Sequence, residues 1–185
     1  MAITVGADHP ACAPVLLGTL AAGGCLCCSV GGTLAPADLS AWLREASVSI
    51  VTLLPADFLG LTGGHRDGVA LPDLRWVQMA GPARETDLER FKRFFAEHAR
   101  LQVMLTVPGF GPVARLVPDF LPGSPAAGVP LGEPYDDTHI SLLGPSGDPV
   151  PDGEPGWLAV GRHQRMADDR AGRHKKRSNR RMKRH

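Results

Sequence analysis

Apolar positions along the chain switch between a helical period and a strand period. In PADLSAWLREA (36–46), Leu39, Trp42 and Leu43 recur at i, i+3 and i+4, the stripe of an amphipathic helix. The next run, VSIVTLL (48–54), is β-branched and apolar on both faces, as in a strand covered on both sides. The alternation then repeats. PADFLGL (55–61) reads as a short helix ended by Gly63-Gly64, and LRWVQMAG (74–81) as a strand. TDLERFKRFFAEHA (86–99) is a helix with Leu88, Phe91, Phe94 and Phe95 on one side, and LQVMLTV (101–107) is a strand stopped by Pro108-Gly109. Upstream, Gly23-Gly24 divides an uncharged stretch into a helix-like half, CAPVLLGTLAA (12–22), and a strand-like half, CLCCSV (25–30). Helix and strand in four successive pairs predict an α/β fold, with a mostly parallel sheet flanked by helices.

From residue 108 the texture changes. Pro and Gly recur through PGFGP, LPGSPAAG and PLGEP. Two strand candidates follow, THISLLG (138–144) and WLAVG (157–161), joined by the turn-rich PSGDPVPDGEPG. A small β-rich element is therefore expected after the α/β layers. Residues 1–161 read as one domain, with α/β layers over 1–107 and a β-rich part over 108–161. Residues 162–185 form a separate tail.

Charge supports that division. The formal net charge of the 185 residues is +1. Residues 161–185 nevertheless carry eleven Lys and Arg against two acids, whereas residues 1–160 carry nine against seventeen. An acidic body thus bears a basic tail that has no apolar periodicity and is expected to be disordered. No charge falls between Asp8 and Asp38, yet Pro14, Gly18, Gly23 and Gly24 interrupt that stretch, so a buried helix–turn–strand unit is expected rather than a membrane span. The first residues carry no Lys or Arg, so no secretory signal is expected, and the cytoplasm is the default compartment. There Cys12, Cys25, Cys27 and Cys28 would remain reduced. Their spacing does not converge on a tetrahedral site, and buried, inert thiols are expected.

In an open parallel sheet, ligands bind beyond the carboxyl ends of strands. Those loops are Ala80-Gly81-Pro82-Ala83 and Pro108-Gly109-Phe110-Gly111-Pro112, where backbone can approach a flat ligand closely. Neither loop contains a titratable residue. No Gly-rich phosphate fingerprint occurs, no serine has a nucleophile-elbow setting, and His9, His65, His98 and His139 are scattered. Asp136-Asp137 reads as a solvated turn. No catalytic residues and no metal ligands are assigned.

Taken in order, the segments resemble the adenylation domains of nonribosomal peptide synthetases, within the adenylate-forming superfamily. VPLGEPYDDTHISLLGPSGDPVPDGEPGWLAVG (129–161) is similar to the family's run of Pro-Ile-Gly, then Val-Leu-Asp, then Gly-Glu-Leu elements. Pro72-Asp73-Leu74-Arg75-Trp76-Val77 followed by Ala80-Gly81 is similar to its Leu-Arg-x-Val-x-x-Gly-Gly-Glu turn. The resemblance covers roughly residues 2–161. It implies ATP-dependent activation of a carboxylic acid, with Mg2+, before capture by a carrier-protein thiol. It places Ala80, Gly81, Phe110, Gly111 and Pro112 beside nucleotide, and His9 and Pro10 in the acid pocket.

The chain departs from the family at the residues that carry the chemistry. Pro10 stands in the segment that supplies an Asp for the substrate amine. Val113 and Ala114 stand where a Thr and a Glu serve phosphate and magnesium, and Pro82 closes the turn that backs the adenine. The phosphate loop, the ribose-binding Asp and the catalytic Lys have no counterpart. The expectation is an adenylation-like fragment without activity of its own, needing no cofactor, whereas surviving family activity would require ATP and Mg2+. Expected partners are other synthetase modules or a second copy of the chain. The alternative is non-specific nucleic-acid binding through residues 162–185.

Overall fold

The four helix–strand pairs fold as α1 (Cys12–Ala21) and β2 (Cys27–Cys28), α2 (Pro36–Glu45) and β3 (Ile50–Leu53), α3 (Pro55–Gly63) and β4 (Trp76–Ala80), and α4 (Glu85–Phe95) and β5 (Arg100–Val107). A strand of two residues, β1 (Ala2–Ile3), precedes them and is too short to leave a periodic signal. The computed structural model describes residues 1–28, 35–63, 71–95, 97–118 and 129–162; the tail from 163, with its expected disorder, lies outside the described residues. Two compact units divide the chain between Tyr135 and Asp136.

The first unit holds a seven-stranded sheet in the order β2-β1-β3-β4-β5-β6-β7. The four pairings from β2 to β5 are parallel, and β5–β6 and β6–β7 are antiparallel. The last two strands are β6 (Gly111–Leu116) and β7 (Glu133–Pro134). The sheet therefore continues past residue 108, where the sequence texture changes. Pro-rich sequence enters it because Pro112 sits beside a register shift at Leu105/Thr106, where a missing N–H does not break a regular ladder.

The two faces of this sheet are covered very differently. On one, Val51, Leu53, Val77, Met79, Leu101 and Val103 pack under Leu39 and Leu43 of α2, Phe58 and Leu61 of α3, and Leu88, Phe91 and Phe95 of α4. Phe95 lies between Phe58 and Phe91, with ring centroids 6.4 and 5.7 Å away. The α4 stripe is the one its spacing predicts. On the other face a smaller cluster, Ile3, Val5, Ala11, Ala80 and Met104, meets half-buried Cys12 and Val15 of α1. No residue of α1 is itself buried, and Leu17 and Leu20 are 64% and 55% exposed.

That position corrects two expectations. The helix–turn–strand unit is not buried, and its thiols are not inert core groups: Cys25 and Cys28 are exposed, with Cys12 and Cys27 partly so. The cause is topological, because β2 is the edge strand and only two residues long. All four cysteines are free thiols. No helix among the described residues is long and apolar enough to cross a membrane.

The second unit contains the antiparallel hairpin β8 (Thr138–Leu143) and β9 (Trp157–Arg162), in register from Thr138↔Arg162 to Leu143↔Trp157. Its turn closes with Gly144 N–H donating to Asp148 O at 2.9 Å and Val150 N–H to Leu142 O at 3.0 Å.

The contrast between the two faces has a mutational consequence. Phe95→Ala empties a site that is 1% exposed and should lower unfolding stability by about 3–5 kcal/mol in urea titration. Leu17→Ala on exposed α1 should change it by no more than about 0.5 kcal/mol.

Candidate functional site

The parallel strands direct the loops after β1, β3, β4 and β5 to one edge of the sheet. This edge collects every residue that the sequence assigns to a pocket. His9 and Pro10 lie in the β1–α1 loop, Ala80 and Gly81 end β4, and Phe110 leads from β5 into Gly111 and Pro112 of β6.

Short contacts fix these loops to one another. Thr4 Oγ1 donates to Asp57 Oδ2 at 2.9 Å, tying the β1 loop to the start of α3. Asp57 Oδ2 also accepts from Leu54 N–H at 3.4 Å, so the carboxylate caps the helix that follows β3. Gly81 adopts φ +145°, and a Cβ there would lie 3.3 Å from the Pro55 ring. Gly111 adopts φ +80°, and a Cβ there would lie 3.0 Å from Pro14 Cγ and 3.3 Å from Pro10 O. The backbone at Gly111 therefore comes close to Pro10 and Pro14 only because it carries no side chain.

Several polar groups on this edge are engaged internally. His9 Nδ1 accepts from Ala11 N–H at 3.2 Å, so the imidazole closes the turn before α1. Gly81 N–H donates to Met104 O, Phe110 N–H to Val107 O and His9 N–H to Gly6 O, each at 3.0 Å. Val113 and Ala114, which stand where the family has Thr and Glu, are 1% and 0% exposed inside β6. Ala80 is buried against the α1 cluster, whereas Gly81, Phe110 and Pro112 are partly exposed.

Two features were not legible in the sequence. Asp87 is fully buried in the first turn of α4, and its Oδ2 accepts from Arg84 N–H at 2.9 Å, bracing the loop after β4. Its Oδ1 has no protein partner. A helix-opening acid is ordinary in sequence, and only packing reveals its burial. The second is a polar row across the sheet. Thr52 Oγ1 donates to Gln78 Oε1 at 2.8 Å, Gln78 Nε2 to Gln102 Oε1 at 3.0 Å, and Gln102 Nε2 to Tyr135 Oη at 3.4 Å. Alternation in the strand pattern hints at such a row, but the register that aligns it appears only in the fold.

A cavity of about 410 Å3 lies elsewhere, at the amino end of β5. Leu88, Phe91 and Leu101 line it, with Lys92, His98 and Arg100 among its polar groups. None of the residues assigned to a pocket by resemblance lines it.

No family model matches the chain. Over 151 residues it is 32% identical to phosphinothricin tripeptide synthetase PhsC of Streptomyces viridochromogenes, a match that spans 79% of this chain and 12% of that protein. Among solved structures it is similar to O-succinylbenzoate coenzyme A synthetase from Bacillus subtilis in complex with ATP and magnesium ion, at TM-score 0.69 and 15% identity. That match covers 87% of this chain and 32% of the synthetase. The N-terminal subdomain of Klebsiella oxytoca NpsA gives 0.69 at 15% identity, covering 87% and 41%. A luciferase-like enzyme of Zophobas morio gives 0.74 at 13%, covering 87% and 39%. The chain is adenylation-domain-like. It spans about an eighth of the curated relative, and between about a third and two fifths of these solved chains.

Magnesium does not fit the adenylation-like edge as built. It takes oxygen ligands in near-octahedral geometry; the loops after β4 and β5 offer no carboxylate or hydroxyl, and the β1–α1 loop offers a single exposed carboxylate, Asp8. Asp57 already accepts from Thr4 and Leu54. Among the described residues no three His, Cys, Asp or Glu side chains converge on a cation site.

Tyr135 provides a spectroscopic handle, being the single tyrosine in the chain. Burial raises its pKa above the usual 10.0, opposed by the Arg115 charge and the hydrogen bond from Gln102. The folded state holds this proton more tightly than the unfolded chain, so its contribution to stability is intact below pH 10 and is lost as pH rises through the folded value. Absorbance titration at the tyrosinate band should place the native midpoint above that of urea-unfolded protein.

Proposed function

We propose that the chain is an adenylation-domain-like component of a nonribosomal peptide synthetase system that does not activate amino acids by itself. The observation that supports this most is the state of the loop edge. Acyl-adenylate formation develops charge on the α-phosphate, and it requires preorganised donors or a metal at that point. Here Gly81, Phe110 and His9 spend their backbone N–H groups internally. Residues 80–83 and 108–112 hold no Lys or Arg, the exposed Arg84 beside them leans on the buried Asp87, and Pro10, Val113 and Ala114 replace the polar side chains expected by resemblance. The edge provides shape, in the form of glycine backbone, the Phe110 ring and proline rings, without the groups that steer phosphate. ATP and Mg2+ belong to the reaction of the intact family and are not needed for this role.

Amino-acid-dependent exchange of pyrophosphate into ATP tests the reading. The 185-residue chain, with Mg2+ and a mixture of amino acids, should give exchange no higher than a protein-free blank. Exchange that rises with enzyme concentration overturns it.

The tail supports a second, separable reading. Eleven cationic residues over 161–185 can neutralise DNA phosphates without reading bases. Removing residues 163–185 should abolish duplex binding at low salt, and the affinity of the full chain should fall steeply between 50 and 200 mM salt, by about 10³-fold or more if six or more phosphates are engaged. A deletion that binds as well as the full chain ends this reading.

A further inference from the structure

Among the described residues, one edge of β9 has no neighbouring strand. Val150 N–H donates to Leu142 O at 3.0 Å, so the backbone of Leu142 faces away from β9. In an antiparallel ladder the N–H and C=O of one residue point to the same side, and opposed residues alternate between bonded and non-bonded pairs. Leu142↔Leu158 and Ile140↔Val160 are therefore non-bonded pairs, whereas His139↔Gly161, Ser141↔Ala159 and Leu143↔Trp157 are bonded ones. Leu158 and Val160 thus turn their N–H and C=O groups toward the open edge. Edges of this kind are ordinarily blunted by Lys, Pro or a bulge. From Trp157 to Gly161 the strand has none of these. Its apolar side chains are also poorly covered: Trp157 is 65% exposed, and Leu142 and Leu158 are exposed directly across from each other. A two-stranded hairpin is marginal by itself and gains from further strands.

The edge is complementary to a second copy of itself. With two β9 strands antiparallel about a two-fold axis at Ala159, Leu158 of one copy faces Val160 of the other, and each such pair exchanges both of its hydrogen bonds. No side chain obstructs this register. Trp157 lies opposite Gly161 of the second copy, and a Cβ on Gly161 would meet nothing within 4 Å, so the ring has room. On the other face, Leu142 and Leu158 continue into Val160 and Ile140 of the second copy as one apolar row. Charge favours the same orientation. Residues 136–161 hold Asp136, Asp137, Asp148, Asp152 and Glu154 with no Lys or Arg, whereas residues 162–185 hold eleven cations against two acids. Antiparallel pairing sets Arg162, where the basic segment starts, beside Gly156 of the second copy and so beside its acidic turn. A parallel arrangement would set turn against turn and tail against tail. We propose that the chain forms a two-fold homodimer through antiparallel pairing of its β9 strands, giving a four-stranded sheet in the order β8-β9-β9-β8.

Pairing needs no ATP and no activity at the loop edge of the first unit, so its failure and the failure of the adenylation-like reading are separate results. The test is sedimentation equilibrium of the full 185-residue chain, with reductant present so that exposed Cys25 and Cys28 cannot cross-link copies. A single strand edge is a small interface, and monomer should give way to dimer over roughly 1–200 μM. Val160→Pro removes an outward N–H that the hairpin itself does not use. It should weaken the dimer by about tenfold or more while the circular-dichroism spectrum of the monomer is kept. Two charge variants read the register, because Ala159 faces Ala159 across the axis. Ala159→Lys and Ala159→Glu should each stay monomeric at about 100 μM, and an equimolar mixture of the two should restore a dimer. Added salt should weaken that mixed dimer. A parent chain that remains monomeric at the highest concentration overturns the proposal. So does a dimer unaffected by Val160→Pro, or a mixture of the Lys and Glu variants that pairs no better than either alone.

Discussion

A parallel sheet has to be covered on both faces, because its crossover helices and apolar strands leave no side that water can wet cheaply. Among the described residues of the first unit, that requirement is met in full on one face and in part on the other. Beneath α2, α3 and α4, large side chains such as Phe58, Leu61 and Phe95 are buried to within 1% of complete, and the pattern that makes each helix amphipathic is spent against the sheet. Under α1 the cluster is smaller: Ile3, Val5, Ala11, Ala80 and Met104, with partly buried Cys12, Val15, Leu26 and Leu54. At about 25 cal/mol per Å2 of apolar surface removed from water, the stability of the first unit resides on the α2–α4 side. The α1 side is held by that smaller cluster and by the strand ladder.

Half-covered sheets ordinarily solve the problem with alternation, apolar inward and polar outward. The α1 face does so only in part. Thr52, Gln78 and Gln102 take the positions where a two-sided core would have Val or Ile, and they satisfy one another in sequence up to Tyr135. A row of amides can tolerate water, and it can equally tolerate a protein surface that offers hydrogen bonds. Leu17 and Leu20, in contrast, gain nothing from water.

Much of this was legible in the sequence where local and tertiary preferences agree. The α4 stripe of Leu88, Phe91, Phe94 and Phe95 is buried as its spacing implies, β3 and β4 fall within the strand runs at 48–54 and 74–81, and β5 begins one residue before the run at 101–107. Where the two levels diverge, local pattern misleads. CAPVLLGTLAA is apolar all round, which reads as burial, yet edge placement leaves it exposed; the same placement exposes Cys25 and Cys28. PGFGP (108–112) reads as loop because of its Pro and Gly, yet a register shift lets Gly111 and Pro112 enter the antiparallel strand β6 between β5 and β7. The candidate site was legible as a set of loops, since β–α order alone puts them on one edge. Asp87 was not, because nothing in ETDLERF separates an exposed helix-opening acid from a buried one.

The chemistry of that edge follows from where its donors are used. A phosphate group can be bound by backbone alone when several N–H groups at a helix start or in a nest point outward together. At this edge the corresponding groups point inward. Ala11 N–H is taken by the His9 imidazole, Leu54 N–H faces the Asp57 carboxylate, and Gly81 and Phe110 N–H close on Met104 and Val107 carbonyls. The Asp57 carboxylate adds negative charge at the start of α3, where an anion would otherwise benefit from the helix dipole. Restoring a single basic side chain to a loop would supply attraction without direction, because the donors that orient a triphosphate would remain committed elsewhere. The lack of basic side chains in residues 80–83 and 108–112 and the internal use of these four N–H groups act in the same direction, and both leave less at this edge to attract and orient a phosphate.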